Sequence, residues 1–254
     1  MMQFEVLTDI GRKRTVNEDS AAVFTLQDGP ALAIVADGMG GHRGGDYASS
    51  TAVQLIGEKY TAIKDYSHFQ NDDWIKWLNE TITFVNDEIY SKAMNDPDLK
   101  GMGTTLDAVL LFENRGIITH VGDSRVYIIE EKTIQQVTKD HSFVNVLLES
   151  GEITEEEAEV HPQRNWIMRA LGSEASIVPD FYQFTFDIHS SYVLICTDGL
   201  SNKVTTAQIL TIVTSKGNLH EKAARLIGLA NELGGEDNIS VILTGPSVSE
   251  VDET

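Results

Sequence analysis

The chain has 254 residues, 41% of them hydrophobic, which is enough sequence for one well-filled core. Its 39 acidic residues outnumber 19 basic ones, for a formal net charge of −20. This charge argues against non-specific binding to nucleic acid or an anionic membrane, because both need a basic surface. A single cysteine, Cys196, excludes an intrachain disulfide framework and multi-cysteine metal sites. With no bilayer-length apolar stretch and no signal-peptide pattern, we expect a soluble cytoplasmic protein.

Short apolar or alternating runs predict β-strands at 4–7, 21–26, 31–36, 106–112, 117–121, 126–129, 192–196 and 239–243. Between them, helical periodicity predicts a helix from about 45 to 60 and another that starts after Thr205. Two further helices have apolar faces formed by Trp74, Leu78, Ile82, Val85 and Ile89, and by Ala223, Leu226, Ile227, Ala230 and Leu233. The order of elements is not a strict βαβ alternation. It favours a mixed α+β fold with helices packed on largely antiparallel sheets.

The segment 139–179 differs from the rest because it is polar and poor in large apolar residues. Thr154 and Glu157 form a capping-box pattern within it, which predicts short helices. Two interpretations are equal on this evidence: a lid or flap, or an ordinary pair of surface helices.

Acidic residues adjoin five of the predicted strands. Asp37 directly follows the run 33–36, and Asp198 follows 193–197. Asp123 comes just after 117–121, whereas Asp237 precedes the last strand and 17–19, which includes Glu18, precedes the second. A carboxylate at a buried strand end is costly unless it is paired or binds a metal.

Two interpretations exist for each of these positions. Asp-Gly after a strand is usually a turn, and for any one site this interpretation is favoured. Five such sites, most of them beside glycine, favour a site for magnesium or manganese, which prefer oxygen ligands. The glycine-rich run 39–45 lacks the Gly-Lys-Ser/Thr ending of a nucleotide-binding loop. The pattern therefore indicates water activated by a metal rather than a covalent nucleophile.

These residues belong to a series of ordered motifs: Asp9-x-Gly11-x-x-Arg14-x-x-Asn17-Glu18-Asp19, Asp37-Gly38-Met39-Gly40-Gly41-His42, Gly101-Met102-Gly103-Thr104-Thr105, Gly122-Asp123-Ser124-Arg125, Thr197-Asp198-Gly199 and Glu236-Asp237-Asn238. In this order the chain resembles the protein phosphatase 2C family of metal-dependent phosphatases, specifically its compact bacterial serine/threonine members. The resemblance runs from Asp9 to about Thr244.

The resemblance implies an α+β fold in which a β-sandwich of two mostly antiparallel sheets is flanked by helices on both faces. It implies one catalytic domain, 1–245, a helical flap at about 139–180, and a short acidic tail, 246–254. A monomer is the expected state.

The resemblance also implies a role for each site residue. Two Mn²⁺ or Mg²⁺ ions are expected, bridged by Asp37, with a ligand from the Gly38 carbonyl, with Asp198 and Asp237 on the second ion, and with Glu18 acting through water. Asp123, together with Asp198, matches the position of a third and weaker ion. Arg14 is expected to bind the substrate phosphate.

The implied reaction is hydrolysis of phosphoserine and phosphothreonine monoesters by in-line attack of a metal-bridging water or hydroxide. His42 is placed to donate a proton to the leaving oxygen, or instead forms a hydrogen bond within its loop; the sequence leaves both open. The expected partners are phosphorylated proteins, including a cognate serine/threonine kinase and its substrates. A catalytically silent phosphoprotein-binding relative is the competing hypothesis, and the intact acidic set favours the enzyme.

Overall fold

The computed structural model describes residues 2–40 and 44–246. The strands are β1 Gln3–Asp9, β2 Asp19–Thr25, β3 Ala31–Met39, β4 Gly103–Thr104, β5 Leu106–Leu111, β6 Arg115–Val121, β7 Arg125–Ile129, β8 Ile134–Gln136, β9 Asp180–Thr185, β10 Tyr192–Cys196 and β11 Ile239–Gly245. The helices are α1 Gly44–Thr61, α2 Asn71–Asn95, α3 Phe143–Ser150, α4 Glu155–Glu159, α5 Asp198–Ser201, α6 Thr206–Val213 and α7 Leu219–Glu232. None of the helices in these described ranges combines the length and hydrophobicity that a membrane span requires.

Two antiparallel sheets make up the centre of the fold. One has the strand order β1-β11-β10-β7-β8 and the other β2-β3-β5-β6-β9, with β4 paired to β3. The first strand pairs with the last along its whole length, from Gln3 opposite Gly245 to Asp9 opposite Ile239. The chain therefore closes on itself, and its two ends stabilise the same sheet.

Three buried layers separate the four layers of secondary structure. Helices α1 and α2 cover one sheet, and α6 and α7 cover the other. The third layer lies between the sheets and is formed by side chains such as Val35, Leu111 and Ile195. Leu32 and Ile34 of β3 face the helices, whereas Ala33 and Val35 face the opposite sheet. Because both of its faces are covered, β3 is a continuous apolar run rather than an alternating one.

The α+β prediction is confirmed: the structure is a sandwich of two antiparallel sheets flanked by helices on both faces. Each predicted strand is present, with bounds that shift by a few residues. Three strands were missed, namely β4, β8 and β9. The first two are only two and three residues long, and β9 has mixed exposure along its length.

The predicted helical faces are buried with one exception. The face of α2, from Trp74 to Ile89, is at most 2% exposed. Thr205 caps α6 with Gln208, and Thr154 caps α4 with Glu157, as predicted. Leu233, however, is the residue after α7 and is 45% exposed. Its assignment to the buried face was wrong, because the helix ends at Glu232 before its turn is completed.

The core between the sheets predicts a large stability difference between two leucines. Leu111 is 2% exposed and Leu233 is 45% exposed. We expect Leu111→Ala to reduce the free energy of unfolding by about 2–5 kcal/mol, because it leaves a cavity. The matched Leu233→Ala change should cost less than about 1 kcal/mol. Urea denaturation followed by circular dichroism measures both, and equal losses would contradict the burial of Leu111 between the sheets.

Candidate metal centre

Five aspartates come together at one end of the sandwich. Asp19 begins β2 and lies opposite Asp37, near the end of β3. In the other sheet Asp198 follows β10, and Asp237 stands two residues before β11, which pairs with β10. Asp123 follows β6 and has Asp198 as its strongest charged neighbour. The fold thus gathers carboxylates that are up to 218 residues apart in sequence, from Asp19 to Asp237.

Burial and mutual repulsion disfavour the ionised forms of these aspartates. Burial raises the pKa of Asp37 well above its ordinary value, and the nearby charges of Asp19 and Asp198 raise it further. Burial likewise raises the pKa of Asp123, with Asp198 as the next contributor. The pKa of Asp198 rises to about 6 and that of Asp19 to about 7, again mainly through burial. Positive charge beside such a cluster favours its ionised form.

Several carboxylate oxygens at this end of the sandwich have no hydrogen-bond partner. One carboxylate oxygen in each of Asp19, Asp123 and Asp198 is buried without a hydrogen-bond partner. Native proteins rarely leave buried polar atoms unpaired, and a bound ion is a common partner for such an atom. Among the described residues, no group of three or more His, Cys, Asp or Glu side chains is arranged so that it could by itself hold a metal ion. The donor chemistry nevertheless fits Mg²⁺ or Mn²⁺, which commonly complete their shells with water and main-chain carbonyl oxygens.

The main chain of Asp37 is held from both sides. Its N–H donates to the Thr105 hydroxyl at 2.9 Å, and its C=O accepts from the Thr105 N–H at 2.8 Å. The Thr104 hydroxyl donates to the same carbonyl at 2.9 Å. At Gly38 a side chain would run into the main chain of Gly45 and Glu18. Glycine is therefore required there, and the Asp37-Gly38 peptide has a fixed position.

Asn238 joins the two ends of the chain at the site. Its side-chain carbonyl accepts from the Glu18 N–H at 2.8 Å, and its amide donates to the carbonyls of Ile10 and Val16 at 3.0 Å each. Asp237, the residue before Asn238, accepts a hydrogen bond from Arg14 Nη2 on its Oδ2 atom at 2.8 Å. The first and last motifs of the sequence therefore form one folded unit.

Arg14 lies at the edge of the cluster. Its side chain is 45% exposed, and that of its partner Asp237 is 35% exposed. One nitrogen of the guanidinium contacts Asp237, and this half-exposed group carries further N–H donors. Glu18 is partly buried, and burial is the main reason that its pKa is raised. His42 lies outside the described residues.

Two residues of the site were missed in the sequence. Asp19 was quoted only as part of a motif, yet it lies opposite Asp37 and accepts a hydrogen bond from the Thr197 hydroxyl at 2.9 Å. Thr105 bonds to both Asp37 and Ser124, at 2.9 and 2.8 Å. Asp19 could have been found as the buried member of an Asn-Glu-Asp triplet that begins a strand. The role of Thr105 depends on pairing across strands and leaves no local signal.

Comparison with known proteins shows what this chain is similar to. The family model for protein phosphatase 2C matches residues 10–225. The serine/threonine phosphatase stp of Listeria innocua is 44% identical over 245 residues, 95% of each chain. The crystal structure of the serine/threonine phosphatase Stp1 from Staphylococcus aureus superposes with a TM-score of 0.91 at 34% identity, covering 97% of this chain and 96% of that one. The catalytic domain of the phosphatase PstP, in complex with two manganese ions, gives a TM-score of 0.80 at 34% identity, with 96% and 97% covered.

The buried carboxylates predict an unusual dependence of stability on pH in metal-free protein. A carboxyl whose pKa is higher folded than unfolded loses stabilisation as pH rises between the two values, here from 3.8 to about 6 for Asp198. Asp198→Asn has no such loss. We compare the melting temperatures of the variant and the wild type after chelator treatment. The melting temperature of the variant relative to that of the wild type should increase by a few degrees from pH 4 to pH 7.

If Asp198 binds the ion, saturating Mn²⁺ should make the wild type the more stable protein at pH 7, because the Asn variant lacks that carboxylate. Differential scanning fluorimetry at each pH, with and without Mn²⁺, makes the comparison. A constant difference between the two proteins at every pH would contradict the electrostatic account.

Proposed function

Because this chain belongs to the protein phosphatase 2C family and is a metal-dependent protein serine/threonine phosphatase, we propose that the carboxylates gathered at one end of the sandwich are its metal centre. The observation that carries this proposal is that two of the proposed ligands, Asp123 and Asp198, each keep a buried carboxylate oxygen with no hydrogen-bond partner. A structural ion-pair network would have matched them with lysine or arginine.

The proposed ligands are divided among the ions. Asp37 and the Gly38 carbonyl serve a core pair of Mn²⁺ or Mg²⁺ ions, with Asp198 and Asp237 on one member of the pair and Glu18 acting through water. Asp123 and Asp198 serve a third, weaker ion, a role supported by the burial of Asp123 and its proximity to Asp198. We further propose that residues 1–245 form the single catalytic domain, as the closure of β1 on β11 favours.

The chemistry needs positive charge beside the phosphate. Bound divalent ions supply this charge by screening the phosphoryl group, and they make water nucleophilic near neutral pH. The chain's own contribution is Arg14, whose guanidinium can form paired hydrogen bonds to phosphate oxygens while one nitrogen stays on Asp237. A net charge of −20 repels a dianionic phosphopeptide. Substrate affinity must therefore come from this end of the sandwich.

The proposed physiological substrates are phosphorylated proteins, among them a serine/threonine kinase and its targets, with the enzyme acting as a cytoplasmic monomer. His42 is proposed as the proton donor to the leaving oxygen. A silent phosphoprotein-binding protein is the competing possibility. The complete acidic set and Arg14 favour the enzyme, because binding alone does not need this many buried carboxylates.

The experiment that tests the metal centre is hydrolysis of a phosphothreonine peptide by chelator-stripped protein. We expect turnover only after Mn²⁺ or Mg²⁺ is added, because the proposed role of the carboxylates is to hold the ions that activate water. Asp37→Asn and Asp237→Asn should abolish turnover in saturating metal while the far-ultraviolet circular dichroism stays unchanged. Normal turnover by folded, metal-replete Asp37→Asn would refute the assignment of this site.

The position of Arg14 predicts a change in substrate binding. Loss of a charge-assisted pair of hydrogen bonds should raise KM for the phosphopeptide about 10- to 100-fold in Arg14→Ala, with little change in kcat. Arg14→Lys keeps the positive charge but loses the paired N–H donors of the guanidinium, so its KM should lie between those of wild type and Arg14→Ala. The matched control is Arg225→Ala, since Arg225 bonds only to the Ser215 hydroxyl among its described contacts. Steady-state kinetics measures KM and kcat for each protein. An unchanged KM in Arg14→Ala would contradict the binding of substrate phosphate by Arg14.

A further inference from the structure

His141 holds the residue that precedes Asp123 by two separate hydrogen bonds. The main-chain N–H of His141 donates to the Gly122 carbonyl at 2.7 Å. The Gly122 N–H in turn donates to the imidazole Nδ1 of His141 at 3.1 Å. Gly122 lies in the short connection between β6 and β7, beyond the strand pairing of either one. One residue therefore satisfies both main-chain groups of the glycine next to Asp123.

The opposite side of Gly122 is also fixed. Its φ of +113° is in the region that favours glycine, and a Cβ there would collide with the side chain of Thr105. Thr105 in turn bonds to Ser124, on the other side of Asp123. The connection 122–124 is therefore held in place by His141 on one side and Thr105 on the other. Asp123 at its centre has a buried oxygen with no hydrogen-bond partner.

The tautomer of His141 follows from its partners. A main-chain N–H can only donate, so Nδ1 must accept and the ring proton must be on Nε2. Nε2 lies 3.2 Å from the carboxylate of Asp180, which accepts that proton. Arg169 Nη1 lies 3.3 Å from the same Nε2, and because both nitrogens carry protons, Arg169 donates to Asp180 Oδ1 rather than to the ring. Burial, together with the neighbouring His120 ring at 4.7 Å, lowers the pKa of His141, in keeping with a neutral ring.

The same carboxylate connects the ring to the 139–180 segment. Arg169 donates to Asp180 Oδ1 at 3.1 Å, while Asp180 begins β9 opposite His120. The Met168 N–H donates to the His141 carbonyl at 2.7 Å. His141 is therefore the point where the base of this segment and the Asp123 connection meet.

We infer that His141 is a positioning residue for Asp123: its Nδ1 and main-chain N–H fix Gly122, and its bond to Asp180 sets the orientation of the ring. The inference rests on the proposed function, because it takes Asp123 to be a ligand of the weaker ion. Residues that orient a metal ligand commonly change metal affinity by 10- to 100-fold when they are replaced. His141 should therefore control how tightly that one ion is held. Arg169 and Asp180, which form the base of the 139–180 segment, contact His141 and so act on the same ligand.

Two substitutions separate the bonds of His141. In His141→Asn the side-chain oxygen lies near the position of Nδ1 and can still accept a hydrogen bond from the Gly122 N–H. In His141→Gln the amide nitrogen lies near the position of Nε2 and can still donate to Asp180. The experiment is a Mn²⁺ titration of metal-free protein in which free Mn²⁺ is followed by electron paramagnetic resonance, so that binding is measured without turnover. The proteins are wild type, Asp123→Asn, His141→Gln, His141→Asn and the double variant Asp123→Asn/His141→Gln. Melting temperatures confirm that each one is folded.

We expect Asp123→Asn to remove the weakest class of Mn²⁺ sites and leave the tighter class intact. His141→Gln should weaken the same class about tenfold, and His141→Asn should weaken it less, because it keeps the bond to Gly122 and loses only the one to Asp180. In the Asp123→Asn background, His141→Gln should add nothing, because it acts through Asp123. The Mn²⁺ concentration for half-maximal phosphopeptide hydrolysis should shift in parallel.

The outcomes separate the third-ion site from the role of His141. If Asp123→Asn leaves every class of Mn²⁺ site unchanged, the proposed third-ion site is wrong. If Asp123→Asn removes the weak class but His141→Gln does not weaken it, the positioning role of His141 is overturned. Equal weakening of all classes by both His141 variants also overturns it, because that result indicates a general structural role.

Discussion

Repulsion among carboxylates that lie buried or half-buried at one end of the sandwich is the main electrostatic constraint on this fold. Asp19, Asp37, Asp123 and Asp198 each have a raised pKa, with burial as the first cause, and three of them keep an oxygen without a hydrogen-bond partner. Such a cluster destabilises the metal-free fold at neutral pH. In the proposed metal centre, bound cations would convert this repulsion into affinity. Metal binding and fold stability would then be two consequences of the same constraint.

The sandwich is suited to hold this arrangement because strands of both sheets end at the same place. The apolar layers on either side of each sheet keep the strands rigid, so a residue one step beyond a strand has a defined position. Uncharged polar groups then fix the main chain near the charges: Thr105 holds Asp37, and Asn238 holds the loop before Glu18. Neutral donors and acceptors fulfil this role without cancelling the negative charge that the cations require.

The 139–180 segment is connected to the site through its base rather than through its exposed helices. Its helix α3 has no buried residue, and Trp166 is 57% exposed. At the base, in contrast, Arg169, Asp180 and His141 form a continuous set of polar contacts that reaches Gly122. An event that moves the exposed part thus has a physical route to Asp123, the proposed ligand of the weaker ion.

Local patterns in the sequence predict eight of the eleven described strands, the main helices and most of the acidic set. Apolar runs predict strands, four-residue spacing predicts the buried face of α2, and Asp-Gly after a run marks Asp37 and Asp198. Motif order then identified the family. Which groups face one another depends on the folded chain: Asp19 lies opposite Asp37, Thr105 bonds to Asp37, and His141 bonds to Gly122. Those contacts join distant segments through strand register and loop packing, which no local spacing records.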